Sequence, residues 1–188
     1  MKLSIKNMVC PRCITAVEKL LSDVGLHPIT VQLGEAETAV EPTETQINLL
    51  KQKLQDSGFE LLEDNKLQII DKIKSIIINQ IHHNNSPVVF SELLASELHR
   101  DYSGLTKLFS ATEGITIEQF IILQKTERVK ELLVYNELTL SEIADTMGYS
   151  SVAHLSAQFS KTAGMTPTAF RKQGAALRTP LDAISKKV

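Results

Sequence analysis

A chain of 188 residues, 43% hydrophobic and 22% charged, has room for one ordinary domain or two small ones and the balance of a globular protein rather than a disordered or fibrous one. No run approaches the roughly 18 apolar residues of a membrane span, and Met1-Lys2-Leu3-Ser4 opens without a signal-peptide apolar block, so the expected compartment is the cytoplasm, where thiols stay reduced. Charge excludes less: residues 1–85 carry 9 Lys and Arg against 11 Asp and Glu, residues 86–188 carry 11 against 11, and neither half has the basic excess that by itself announces nucleic acid.

The first 64 residues predict short elements in the order β, α, β, β, α, β. Leu3-Ser4-Ile5-Lys6 alternates as a strand; Ile14, Val17, Leu20 and Leu21 fall at helical spacing and stop at Gly25. Ile29 to Leu33 predicts a second strand, turned at Gly34, with Thr38-Ala39-Val40 as the third. Thr43 to Gln46 fits a capping box for a helix through Leu49, Leu50 and Leu54, and Phe59-Glu60-Leu61-Leu62 closes the unit as a fourth strand. The expectation is a small α+β layer with its helices on one face of an antiparallel sheet.

From Asn65 the pattern is helical. Leu67, Ile70, Ile73, Ile77 and Ile81 mark one stripe, which is either a coiled-coil seam, giving a homodimer through residues 66–81, or the inner face of a helix packed on its own domain. His82-His83-Asn84-Asn85-Ser86-Pro87 breaks that helix, and its histidines are expected to be solvated at the helix end. The division is therefore 1–64, a linker helix over 65–86, a helical domain over 87–173, and a tail over 174–188 whose Arg178, Lys186 and Lys187 are candidate phosphate contacts.

The helical domain contains an internal repeat. Shifted by fifty positions, residues 91–120 coincide with 141–170 at nine of thirty places: Ser91/Ser141, Glu92/Glu142, Leu105/Leu155, Phe109/Phe159, Ser110/Ser160, Thr112/Thr162, Gly114/Gly164, Thr116/Thr166 and Phe120/Phe170. Average composition gives about two by chance. Each copy predicts a helix, a short turn, a helix ending at glycine, and a third helix started by threonine. In the second copy Leu140, Ile143, Ala144 and Met147 form one inner face and Val152, Leu155 and Phe159 the next, across a turn at Gly148-Tyr149-Ser150. That turns Ser151, His154, Gln158 and Lys161 outward, hydrogen-bonding residues suited to a major groove. The bridging helix, Ile117 to Val134, separates the copies by ~27 Å at 1.5 Å per residue, comparable to the ~34 Å between successive groove faces.

Residues 88–172, with "LTKLFSATEGITIEQFI", "ERVKELL" and "LTLSEIADTMGYSSVAHLSAQFSKTAGMTPTAFR", resemble the DNA-binding domain of the AraC family of bacterial transcription regulators. The specific part is the spacing of Gly148-Tyr149, Phe159, Gly164, Thr166-Pro167 and Phe170-Arg171. The resemblance implies an all-α domain of two helix-turn-helix subdomains bridged by a long helix, double-stranded DNA as partner, and RNA polymerase as a further one. It places base readers at Ser103, Thr106 and Lys107 in copy one and at Val152, Ala153, His154 and Ala157 in copy two. Phosphate contacts are expected from helix N-terminal amides at Ser103 and Ser151, with Lys107, Lys125, Lys161, Arg171 and Lys172. With this neutral charge balance, affinity should be modest and its salt dependence shallow.

Cys10-Pro11-Arg12-Cys13 stands just before the first helix. A Cys-x-x-Cys pair serves redox enzymes, zinc ribbons and soft-metal sites alike. Zinc would need His27, His82 or His83 to complete it, since the chain has no further cysteine. A redox role lacks companion features, which leaves a two-thiolate site for a soft monovalent ion such as Cu(I). Met8 to Cys13, with the βαββαβ order of residues 1–64, is similar to the ferredoxin-like heavy-metal-associated domain of copper chaperones and metal-pumping ATPases. This similarity implies Cys10 and Cys13 as metal ligands and Met8 as a buried anchor, and the helix start is expected to lower the thiol pKa. No nucleophile–base pair, phosphate loop or carboxylate cluster suggests an enzyme. The combined expectation is a DNA-binding transcription regulator responsive to a soft metal; the alternative is a metal-delivery or adaptor protein whose helices bind a protein partner.

Overall fold

In the computed structural model, which describes residues 1–62, 65–84, 88–173 and Leu181, the chain divides into two compact units, 1–79 and 80–188. The tail call on 174–188, with Arg178, Lys186 and Lys187, lies outside the described residues apart from Leu181, as does the expected break at 85–87. Among the described residues no helix is long and apolar enough to cross a membrane.

The first unit contains β1 (Lys2–Lys6), α1 (Pro11–Asp23), β2 (Pro28–Gln32), β3 (Glu35–Thr38), α2 (Glu44–Asp56), β4 (Glu60–Leu62) and α3 (Asn65–Asn79). Its four strands form one antiparallel sheet in the order β2-β3-β1-β4. The third strand begins three residues earlier than the pattern suggested. Gly34, with φ +84°, makes the reversal so tight that Glu35 already pairs with Gln32. A side chain at Gly34 would also collide with Ser75 Oγ on α3, 2.5 Å from where a Cβ would stand.

Alternation along β1 sends Leu3 and Ile5 to one face, where they join Met8, Val17, Leu21, Leu50 and Leu54 in the core under α1 and α2. Thr43 caps α2 with the reciprocal Gln46 bonds expected of a capping box. On the opposite face lie Ser4 and its cross-strand partner Glu35, and there α3 packs: Lys72 Nζ is 2.6 Å from Glu35, and Gln68 donates to the Leu62 carbonyl at 2.9 Å. The sheet is thus covered on both faces, not on one. The isoleucine stripe is buried at Ile70, Ile73 and Ile77 on a helix that packs against β1 and β4. On the third strand Glu35 is compensated: burial pushes its pKa up, but Lys72 and Lys2 outweigh it and hold its carboxyl below the usual range.

The second unit is helical: a π-turn over Gln80–Asn84, then α4 (Phe90–Leu98), α5 (Tyr102–Glu113), α6 (Ile117–Tyr135), α7 (Leu140–Thr146), α8 (Val152–Ala163) and α9 (Pro167–Gln173). The fifty-residue echo is an echo of packing as well as sequence. From 101 to 110 and from 151 to 160 the order of buried, half-buried and exposed positions is identical. Leu105 and Phe109 correspond to Leu155 and Phe159, and each copy closes on an aromatic pair: Phe109–Phe120 at 5.6 Å and Phe159–Phe170 at 5.7 Å. Gly114 and Gly164 end α5 and α8 with φ of +76° and +74°, a conformation that costs other residues about 1 kcal/mol or more. Thr116 and Thr166 then accept the third amide onward, from Gln119 and Ala169. The long helix α6, 19 residues, spans roughly 28 Å between the copies.

Candidate nucleic-acid interface

The thiol pair sits where the first unit's loop becomes helix. Cys10 is the N-cap of α1, Pro11 pre-sets the first helical φ, and the Cys13 amide donates to the Cys10 carbonyl at 2.9 Å. The two sulfurs are 3.2 Å apart and both residues are half-buried, above a fully buried Met8. Burial pushes the Cys13 thiol above its ordinary pKa, with the Cys10 thiol adding to the rise and the backbone amides of Val9 and Cys10 opposing it. The direction is opposite to the expected lowering, and desolvation of the half-buried sulfur is its largest cause. Among the described residues no three His, Cys, Asp or Glu side chains gather as a metal cluster.

In the second unit α7, a five-residue turn and α8 build the better-formed probe. Ser151 caps α8 by accepting the His154 amide at 3.1 Å. Ala153, His154, Ala157 and Lys161 are exposed on α8, and Val152 and Gln158 are half-buried at its edges. The His154 ring is held from two sides: Nδ1 is 3.1 Å from Ser150 Oγ, and the ring meets Tyr149 edge-on at 5.4 Å. Tyr149 is itself fixed, donating its hydroxyl to Gln158 Oε1 at 2.7 Å beneath Lys125 Nζ, 5.4 Å from the ring centre. Gln158 is therefore tied inward through its carbonyl oxygen rather than standing free.

Copy one carries Ser103, Thr106 and Lys107 on α5, with Ser103 and Lys107 exposed. Ser103 Oγ donates to Asp101 Oδ2 at 2.6 Å, and Thr106 Oγ1 donates to the Tyr102 carbonyl at 2.9 Å. Asp101 also accepts the Gly104 amide at 3.0 Å, so the N-terminus of α5 is already occupied by a carboxylate.

Residues 94–173 match the family described as "Helix-turn-helix domain". This stretch is a helix-turn-helix domain. Among curated relatives, the probable transcriptional regulator LumQ of Photobacterium leiognathi is 25% identical over 111 residues, covering 59% of this chain and 44% of LumQ. The uncharacterized HTH-type transcriptional regulator YfiF of Bacillus subtilis is 33% identical over 78 residues, 42% of this chain and 24% of YfiF. A solved structure, the C-terminal domain of AraT, a response regulator from Geobacillus stearothermophilus, shares 27% identity over 56% of this chain and 84% of its own, with a TM-score of 0.49. These relatives are transcription regulators, not enzymes. The chain spans less than half the length of the curated relatives it matches.

Two cations expected at phosphates are built into the helix-turn-helix domain instead. Lys125 Nζ donates to the Met147 carbonyl at 2.9 Å, closing the C-terminal end of α7, and burial lowers its pKa. Arg171 donates to the Leu138 carbonyl at 2.8 Å, pinning the α6–α7 connection. Sequence reading missed both because a basic residue on a helix gives no sign of which carbonyl lies opposite. It also missed the pairing of His82 Nε2 with Gln124 Oε1 at 3.0 Å, which seats the π-turn on α6.

Proposed function

We propose that this chain is a DNA-binding transcription regulator of AraC type, acting in the cytoplasm. What supports the reading most is the fifty-residue repeat, because it gives the same core, the same helix-ending glycine and the same threonine start of the third helix twice. In the second copy it also leaves a face of small and hydrogen-bonding residues (Ala153, His154, Ala157, Lys161) on a helix that starts at an uncharged cap. Ser151, Val152 and Gln158 frame that face. Modest affinity follows from the charge balance, because few phosphates are neutralised.

The first unit is proposed as its input. The strand order β2-β3-β1-β4 in a βαββαβ run supports a ferredoxin-like unit of the heavy-metal-associated kind. Two sulfurs facing each other at a helix start fit a soft monovalent ion that accepts two ligands, with Cys10 and Cys13 holding Cu(I) over the buried Met8. Such an ion regulates DNA binding only if it favours one arrangement of the chain over another. RNA polymerase is the further partner that the family resemblance implies. A homodimer through residues 66–81 would have to use the outer face of α3, where Leu67 is exposed, since Ile70, Ile73 and Ile77 are buried.

The test is the affinity of the full chain for duplex DNA at low salt, with and without Cu(I), in the unsubstituted protein and in Cys10→Ser/Cys13→Ser. The expected result is binding in all four conditions, with a Cu(I)-dependent change of about fivefold or more confined to the unsubstituted chain. Equal affinity throughout removes the sensor. Absence of duplex binding favours the adaptor alternative, in which the helices engage a protein.

A further inference from the structure

We infer that the two helix-turn-helix units meet DNA unequally, with Asp101 holding the front of α5 away from phosphate and sequence reading concentrated on α8. The inference rests on the reading of the second unit as a DNA-binding domain.

The repeat makes the comparison internal. Asp101 and Ser151 stand fifty residues apart at equivalent N-caps, and each accepts the amide of the third residue on, Gly104 at 3.0 Å and His154 at 3.1 Å. Their capping geometry is the same and their charge is not. A helix start carries roughly half a positive charge and free amides, which attract phosphate. A serine hydroxyl leaves that field in place, whereas a full carboxylate more than cancels it. Asp101 is exposed, and bonds from Ser103 Oγ and the Gly104 amide keep it ionised well into acid.

The rest of α5 agrees. Ser103 is turned onto Asp101 at 2.6 Å, Thr106 is bonded to its own helix at the Tyr102 carbonyl, and the charge of Lys107 acts on Asp101. On α8 the opposite holds. His154 is exposed with its ring braced by Ser150 and Tyr149, so it is ordered at low orientational cost, and Lys161 is exposed seven residues, about two helical turns, along.

The experiment titrates full-length protein into a random-sequence duplex across a salt series. It compares the unsubstituted chain with Asp101→Asn, Asp101→Ser and Ser151→Asp; Asn and Ser cap as well as Asp, so α5 keeps its start. Removing the carboxylate should tighten binding about three- to tenfold at low salt and steepen the salt slope by about one, while Ser151→Asp should weaken binding at least as much. In a selection from a random duplex pool, His154→Ala should relax the enriched sequence and Lys107→Ala should leave it unchanged. Binding that both Asp101 variants leave unchanged or weaken overturns the inference, as does an enriched sequence that follows Lys107 rather than His154. Failure of every protein, unsubstituted and variant, to bind duplex overturns the DNA-binding reading and the inference with it.

Discussion

His82 is a titratable side chain in a place where its charged form is disfavoured. It is 7% exposed, its Nε2 meets Gln124 Oε1, and burial drives its pKa from 6.5 to about 4, with Arg128 and His83 pushing the same way against Gln124 and Glu131. The folded pKa is lowered, so the fold holds His82 neutral while the unfolded chain takes up a proton near pH 6.5. The contribution is therefore complete above about pH 6.5 and is lost as pH falls towards 4, to a total of roughly 3 kcal/mol. Chemical denaturation between pH 7.5 and 4.5 should show this loss in the unsubstituted chain and much less of it in His82→Gln. Parallel pH profiles for the two proteins would contradict it. Sequence alone placed His82 in solvent at a helix end, because nothing local encodes a glutamine 42 residues away.

At the scale of elements, the repeat shows which starts were legible. Thr139-Leu140-Ser141-Glu142 has the capping-box pattern, and both reciprocal bonds are present on α7, with Thr139 accepting the Glu142 amide at 3.3 Å and its own amide donating to Glu142 at 2.7 Å. At the equivalent place in copy one stands Val89, and α4 starts without a side-chain cap. Thr139→Ala should cost about 1 kcal/mol in the denaturation of the second unit; a change below a few tenths would mean that packing of Ile143 and Ala144 alone starts α7. Where the sequence misled, one cause was a local turn and the other a packing arrangement between elements distant along the chain. The third strand moved to Glu35–Thr38 because the turn at Gly34 is tight, and α3 took the far face of the sheet, where its Lys72 meets Glu35.

Across the whole molecule, the helix-turn-helix domain was legible in detail because its signature residues are the ones that packing fixes: two aromatic pairs, two helix-ending glycines, two threonine caps. The partners of its outward residues are not encoded in that pattern, so Ser103, Lys125 and Arg171 could be placed on the surface by pattern and still turn to partners within the chain. The same holds for the thiols, whose spacing announces chemistry but whose burial raises the Cys13 pKa against the expected direction. The central claim is that α8 carries the nucleic-acid face, and a matched pair of charge reversals tests it most directly. Lys161→Glu on α8 and Lys19→Glu on the exposed side of α1 change net charge equally. Titrated into duplex DNA at low salt, Lys161→Glu should weaken binding by about fivefold or more while Lys19→Glu stays within about twofold of the unsubstituted chain. Equal losses in the two variants, or no loss in either, would contradict the assignment of the interface to α8.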